Sequence, residues 1–448
     1  MDTAKIAILL SFLVLVSFTY IFADQPIQVD LNSAINLAIA HNETYQIAIK
    51  EVEKADGQVM EAISGALPQL TGGFTYLRNW EIPVGVFQMD DEIVTFKFGS
   101  EHSYSANLTL TQPIYSGGKT FVAWRLAKMY KKLTKEMLRK STQDLIVEVY
   151  NGFYGARLAI EVLRVNEEAR QLADENLDVV SKLYAQGMVA EFDFLRAKVE
   201  VANLQPEVIK ARSNATVAMN SLKNLLGISQ ETLIELNLEY DSTAFIIPPI
   251  DPVVGESEVL ANRSEILMSQ YEVNMRKQAI SLEKAGYRPS LYFTTSLQYQ
   301  TQFNQGNPFD RSWDRSISSM ILLDVPIFDS WKTPSRVKQA KLEWKQSELK
   351  SDAIRKGMVL AYQQSYGNYL ESRNRLSAQG DAVALAKRGL DIAKVRYESG
   401  VGTQLELSDA RLALSRAEIN KAVAFHDLAV SYAAMIRALG RDFYIAKE

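Results

Sequence analysis

The chain has 448 residues, a formal net charge of −4 and no cysteine. That balance offers no basic stripe for nucleic acid, and without thiols there are no disulfides, zinc–thiolate sites, thiol catalysis or acylated N-terminal cysteine. The three histidines, His41, His102 and His426, lie far apart without metal-ligand spacing and read as structural or surface residues.

Lys5 precedes an apolar run from Ile6 to Ala23, which ends before the polar Asp24-Gln25-Pro26 and reads as an export signal over residues 1–23. The alternative is an uncleaved anchor, because the run is long for a signal core. No later stretch is expected to cross a bilayer as a helix, so contact with a membrane would fall to strands or to a surface. Leu31 to Ala66 reads as one helix, with Ala34, Leu37, Ala38, Ala48 and Val52 among its apolar positions and Pro68 as its stop.

After Pro68 the period changes to two. Leu70, Gly72, Phe74, Tyr76 and Trp80 alternate with Gln69, Thr71, Gly73, Thr75 and Asn79, and a return strand sets Tyr104, Ala106, Leu108 and Leu110 against Ser103, Ser105, Asn107, Thr109 and Thr111 up to Pro113. A second pair follows Pro289: Leu291, Phe293, Leu297, Tyr299 and Phe303 on one face, then Ile317, Ile321, Leu323 and Val325 up to Pro326. The loops between are polar, Asp90-Asp91-Glu92 in the first and Asn304 to Arg311 in the second. One face of each pair is Ser, Thr, Asn and Gln; the other is aliphatic and aromatic, with Tyr76, Trp80, Tyr104, Tyr299 and Trp313 toward the ends. This pattern suits membrane strands around a wet interior, and also a soluble sandwich.

The helices decide between the two. Gly118 to Gln186 and Ser335 to Ser399 contain no proline, and each could form a helix roughly 100 Å long, too long for a globular core. Returning helices, Phe192 to Leu226 and Leu405 to Leu439, carry heptad-like rows: Phe192, Leu195, Val199 and Ala202 in one, Leu405, Ser408, Leu412, Ser415, Ile419 and Ala422 in the other. A second apolar flank, Leu407, Ala410, Leu414 and Ala417, fits a wall with neighbours on both sides. Pro206 is expected to kink the first returning helix. Between the halves, residues 228–257, with Pro248-Pro249 and Pro252, read as an irregular connector.

The chain is duplicated. Tyr397-Glu398-Ser399-Gly400 through Ala410 echoes Tyr184-Ala185-Gln186-Gly187 through Ala197, with Tyr, Gly, an acid and Ala in matching places. The same offset of 213 residues carries Pro113-Ile114-Tyr115 onto Pro326-Ile327-Phe328, Lys119-Thr120 onto Lys332-Thr333 and Leu226-Gly227 onto Leu439-Gly440. Residues 24–227 and 258–440 are therefore expected to be equivalent structural units, followed by a short tail at 441–448.

An export signal, proline-bounded strand pairs, very long helices and a duplicated Tyr-x-x-Gly turn together resemble the TolC-type outer-membrane efflux proteins. The resemblance is carried most specifically by Tyr397, Gly400, Leu405, Glu406, Asp409 and Ala410, by the two Pro-Ile-Tyr/Phe segments, and by Ala261-Asn262-Arg263-Ser264-Glu265-Ile266, where Ser264 replaces the family's usual proline. It implies an α+β, TolC-like fold in which each chain gives four β-strands to an oligomeric membrane barrel that continues into a long α-helical barrel. It further implies a homotrimer in the outer membrane of a Gram-negative bacterium, reaching into the periplasm. Its partners would be a periplasmic adaptor and an inner-membrane transporter, and it would need no cofactor and perform no catalysis. Independently of the family, four strands are too few to close a membrane barrel.

By the same resemblance Glu406 and Asp409 would line a constriction, and their i, i+3 spacing puts them on one helix face. Tyr397 and Asp193 would form a gate latch, weakened where Gly402 stands in place of a basic residue found in some relatives. The tips Gly187-Met188-Val189 and Gly400-Val401 would meet the adaptor. A different class of function, a periplasmic coiled-coil adaptor or scaffold held by an uncleaved N-terminal segment, is the alternative; no nucleophile motif, phosphate loop or metal cluster points to an enzyme.

Overall fold

The computed structural model describes residues 27–443, apart from 90–91, 238–244 and 248–249. The expected export signal, Asp90-Asp91, Pro248-Pro249 and most of the short tail lie outside the described residues. The chain forms two compact units, one of Met1–Lys50, Glu136–Leu267 and Ile354–Glu448, the other of Glu51–Lys135 and Met268–Ala353. Each unit takes segments from both halves of the duplication.

The duplication is exact in the helical hairpins. Helix α3 (Lys119–Ala185) and helix α7 (Lys332–Glu398) have 67 residues each, and the returning helices α4 (Glu191–Leu226) and α8 (Gln404–Leu439) have 36 each. A 67-residue helix is about 100 Å long. Helix α4 stays helical through Pro206. Among the described residues α8 is long and apolar enough to cross a membrane by composition, contrary to the sequence expectation, and 56% of that apolar window is buried inside the protein. The apolarity of α8 therefore serves packing: Leu407, Ala417, Ala422, Phe425, Leu428 and Ala429 are among its buried residues.

The segment expected as one helix is broken in two, α1 (Leu31–His41) and α2 (Glu43–Ser64). Asn42 between them is extended (ψ 120°); its Oδ1 accepts from the Tyr45 amide at 3.1 Å, and its Nδ2 donates to the Leu225 carbonyl at 3.0 Å. The second half repeats the break at Arg263, between α5 (Pro252–Asn262) and α6 (Ser264–Lys284), where the buried guanidinium donates to the Arg437 carbonyl. In both halves the glycine that ends the returning helix packs against the broken one. Gly227 lies against His41 and Gly440 against Asn262, both glycines left-handed, with room for no side chain.

The connector is less irregular than its composition implies. Short strands β1 (Ile27–Val29) and β6 (Ile234–Leu236) pair in parallel, and α5 starts at Pro252, capped by the Asp251 carboxylate. Phe245 sits among Tyr154, Phe425 and Tyr432, with ring centroids 5.6, 5.8 and 5.4 Å away. The Tyr369 hydroxyl fixes this stretch, donating to the Phe245 carbonyl and accepting from the Ile247 amide, both at 2.9 Å.

In the other unit, β2 (Gln69–Arg78), β5 (His102–Ser116), β7 (Ser290–Phe303) and β8 (Asp314–Asp324) form an antiparallel sheet in the order β2-β5-β7-β8. Strand β5 runs three residues past the expected stop at Pro113, through a register shift between Pro113 and Tyr115. The first loop is not merely polar: it holds a separate hairpin, β3 (Val84–Met89) and β4 (Glu92–Lys97).

Register gives this sheet its two characters. Thr71, Thr109, Ser296 and Ser318 align across the four strands, as do Gly73, Asn107, Gln298 and Ser316, and Thr109 Oγ1 lies 3.0 Å from Ser296 Oγ. On the opposite face Gly72, Leu108, Leu297 and Ile317 align; of the rows beside it, Phe74, Ala106 and Tyr299 end in Arg315, and Leu70 and Leu110 continue into Thr295 and Ser319. Every residue of β2 and β8 is exposed, and each of these strands has a single neighbour.

Candidate functional site at the paired helical turns

Both hairpins reverse on a left-handed glycine, Gly187 at φ 74° and Gly400 at φ 72°, a conformation that costs other residues roughly 1–2 kcal/mol. The helix ends close in the same way: Met188 N donates to the Leu183 carbonyl at 2.9 Å, and Val401 N to the Arg396 carbonyl at 3.0 Å. The tips are bare. Met188 is 68% and Val401 70% exposed, Val189 is half-buried, and a side chain at Gly187 or Gly400 would meet nothing.

The turns differ in how the next helix begins. At the first, Ala190 offers no side-chain cap, and Tyr184 stacks flat on Phe194 with centroids 5.1 Å apart. At the second, Thr403 Oγ1 accepts from the Glu406 amide at 3.2 Å. Gly402 N donates to the Arg396 carbonyl at 2.8 Å, and a Cβ at Gly402 would stand 2.9 Å from that of Arg396, so this position needs glycine for close approach. Arg396 Nε lies 3.3 Å from Glu406 Oε2. A cation thus reaches this turn from the preceding helix.

Tyr397 and Asp193 are brought near one another, but no hydrogen bond joins them. The Tyr397 hydroxyl has its pKa raised, chiefly by burial and then by the Asp193 carboxylate, while Arg411 opposes the shift. Burial lowers the pKa of the Arg411 guanidinium, against the pull of Glu200, Glu175 and Tyr397. Ser408 Oγ donates to Glu200 Oε1 at 2.9 Å. The hydrogen bond that joins α4 to α8 here is thus Ser408 to Glu200, with the half-buried Arg411 close by, and the turn motif singled out none of the three. Its sequence signal is faint: Ser408 and Ser415 stand in the row of Leu405, Leu412 and Ile419, with Arg411 one turn from each.

Glu406 and Asp409 are both exposed at the start of α8. The same helix has two unlike apolar flanks. Leu407 and Ala417 are buried within the chain, whereas Leu405 and Leu412 are bare, and on α4 Phe192, Leu195 and Val199 are bare as well. A groove of about 480 Å³ runs along these helices, lined in part by Leu172, Val199, Leu204, Leu412 and Ile419.

The family model described as outer membrane efflux protein matches residues 34–228 and 256–441. Outer membrane protein TolC of Escherichia coli (strain K12) is 24% identical over 396 residues, covering 86% of this chain and 76% of its own. Alkaline protease secretion protein AprF of Pseudomonas aeruginosa is 22% identical over 414 residues, covering 91% and 84%. Among solved structures, CusC superposes with a TM-score of 0.75 at 18% identity over 95% of this chain and 96% of its own. That likeness extends over both hairpins and the sheet.

Proposed function

The chain belongs to the outer membrane efflux protein family, and on that premise we propose that it is the outer-membrane channel of a tripartite efflux or secretion system. Residues 1–23 are removed on export. Three copies join their sheets into one barrel and their helices into a hollow periplasmic duct. The observation that carries this reading is the sheet, which sets a polar row, Thr71, Thr109, Ser296 and Ser318, beside an apolar one, Gly72, Leu108, Leu297 and Ile317, across all four strands while β2 and β8 keep open edges. Four strands cannot close a barrel, and an unpaired edge in lipid is costly, so sister chains complete it. The bare apolar flanks of α4 and α8 call for the same neighbours.

The duct is passive. An inner-membrane transporter supplies energy, and a periplasmic adaptor joins it at the tips formed by Gly187, Met188, Val189, Gly400 and Val401. The bore narrows at the helical turns, where Glu406 and Asp409 face the lumen, and polar contacts involving Tyr397, Asp193, Arg411 and Glu200 hold the closed state. The protein should fractionate with outer membranes as a stable oligomer. In planar bilayers, replacing Glu406 and Asp409 together by alanine should raise conductance and weaken cation preference. Unchanged conductance would remove the constriction from this reading.

A further inference from the structure

The second turn treats its two acids differently. Arg396 and Glu406 meet across it, Nε to Oε2 at 3.3 Å. Both partners are held through their own main-chain groups. The Arg396 carbonyl accepts from the amides of Val401 and Gly402 at 3.0 and 2.8 Å, and the Glu406 amide is capped by Thr403 Oγ1 at 3.2 Å. Gly402 permits this closure, since a Cβ there would stand 2.9 Å from Arg396 Cβ and 3.0 Å from Tyr397 N. Thr403 and Glu406 have the spacing of a capping box, in which the carboxylate would return to the Thr403 amide. Here it goes to Arg396 instead. Asp409, one turn further on, is exposed and has no cationic partner among the described residues. The first hairpin has no such pair, because Leu183 and Asp193 occupy the positions equivalent to Arg396 and Glu406.

From this asymmetry, and resting on the duct reading above, we infer that Arg396 sets the charge of the constriction: it compensates Glu406 and leaves Asp409 as the carboxylate that selects cations. An exposed pair of this kind contributes little to folding, so its consequence is the field along the bore. A unit charge about 6 Å from the ion path in a water-like dielectric changes the occupancy of cations and anions about threefold in opposite directions, and the three copies act together.

The test is the reversal potential under a salt gradient in planar bilayers, for the full chain and for Arg396→Gln, Glu406→Gln, Asp409→Asn and the Arg396→Gln/Glu406→Gln double variant. Each variant is first checked for oligomer yield in outer membranes. Arg396→Gln should raise the cation-to-anion permeability ratio about tenfold or more, because the charge lost in each of the three copies acts oppositely on cations and anions. Asp409→Asn should abolish most of the preference, and the double variant should return to the parent value, because it deletes both members of a neutral pair. A parent-like ratio in Arg396→Gln, or a double variant that behaves as Glu406→Gln alone, overturns the assignment to Arg396. A parent protein that forms no conducting pore instead overturns the duct reading itself.

Discussion

Gly400 and Gly440 share a backbone conformation, φ 72° in each, but not an environment. A Cβ on Gly400 would meet nothing within 4 Å, whereas one on Gly440 would stand 2.7 Å from the Asn262 carbonyl carbon and 2.8 Å from Arg263 N. Alanine at Gly400 should therefore cost only the left-handed penalty, about 1–2 kcal/mol. Alanine at Gly440 adds a clash with main chain that cannot rotate away, and the total should exceed about 3 kcal/mol, the range of overpacked or strained sites. Gly227→Ala should behave like Gly440→Ala, its Cβ falling 2.6 Å from the His41 carbonyl oxygen. The assay is denaturant unfolding of the purified protein followed by helical circular dichroism, read as the ordering of midpoints. Equal loss at Gly400 and Gly440 would refute the reasoning, because the cost would then belong to the turn conformation and not to the contact between the returning helix and the broken one.

Two further substitutions probe the buried polar groups. Tyr369→Phe leaves the Phe245 carbonyl and the Ile247 amide without their buried partner, at about 2–4 kcal/mol; limited proteolysis in the connector should speed up, and an unchanged rate would mean those groups are satisfied otherwise. Gln404 is 8% exposed, and neither its amide oxygen nor its nitrogen has a partner within the chain. Gln404→Leu should raise the unfolding midpoint by the equivalent of about 1–3 kcal/mol; a lowered midpoint would assign that amide a partner on a neighbouring copy.

The repeat was legible because it preserves spacing. The offset that carries Gly187 onto Gly400 also carries both ends of α3 and α4 onto those of α7 and α8, and a period of two marked all four strands of the main sheet. What periodicity missed are features made by contacts distant in sequence. Asn42 reads as an unremarkable position inside a helical pattern, yet its amide reaches Leu225 and opens the helix there. The hairpin of β3 and β4 is local and is missed for another reason: Val84, Val86, Ile93, Val94, Thr95 and Phe96 are strand-forming residues, but the acidic Asp90-Asp91-Glu92 between them reads as a polar loop.

The same distinction separates the site residues that a motif exposes from those that only the fold brings together. Gly400 is readable by itself, since a helix that must reverse needs a residue tolerant of positive φ. Arg396 is not: it precedes Glu406 by ten residues, a separation with no helical meaning, and the two meet only because Gly402 lets the chain double back beneath the Arg396 carbonyl. Replacing a basic residue by glycine at the turn reads from sequence as the loss of a charge, but a glycine also changes where neighbouring charges can go. A cation is present at this turn, supplied by the preceding helix and turned onto the first of the two acids, so the charge at the turn follows from the path of the backbone as much as from the residues counted along it.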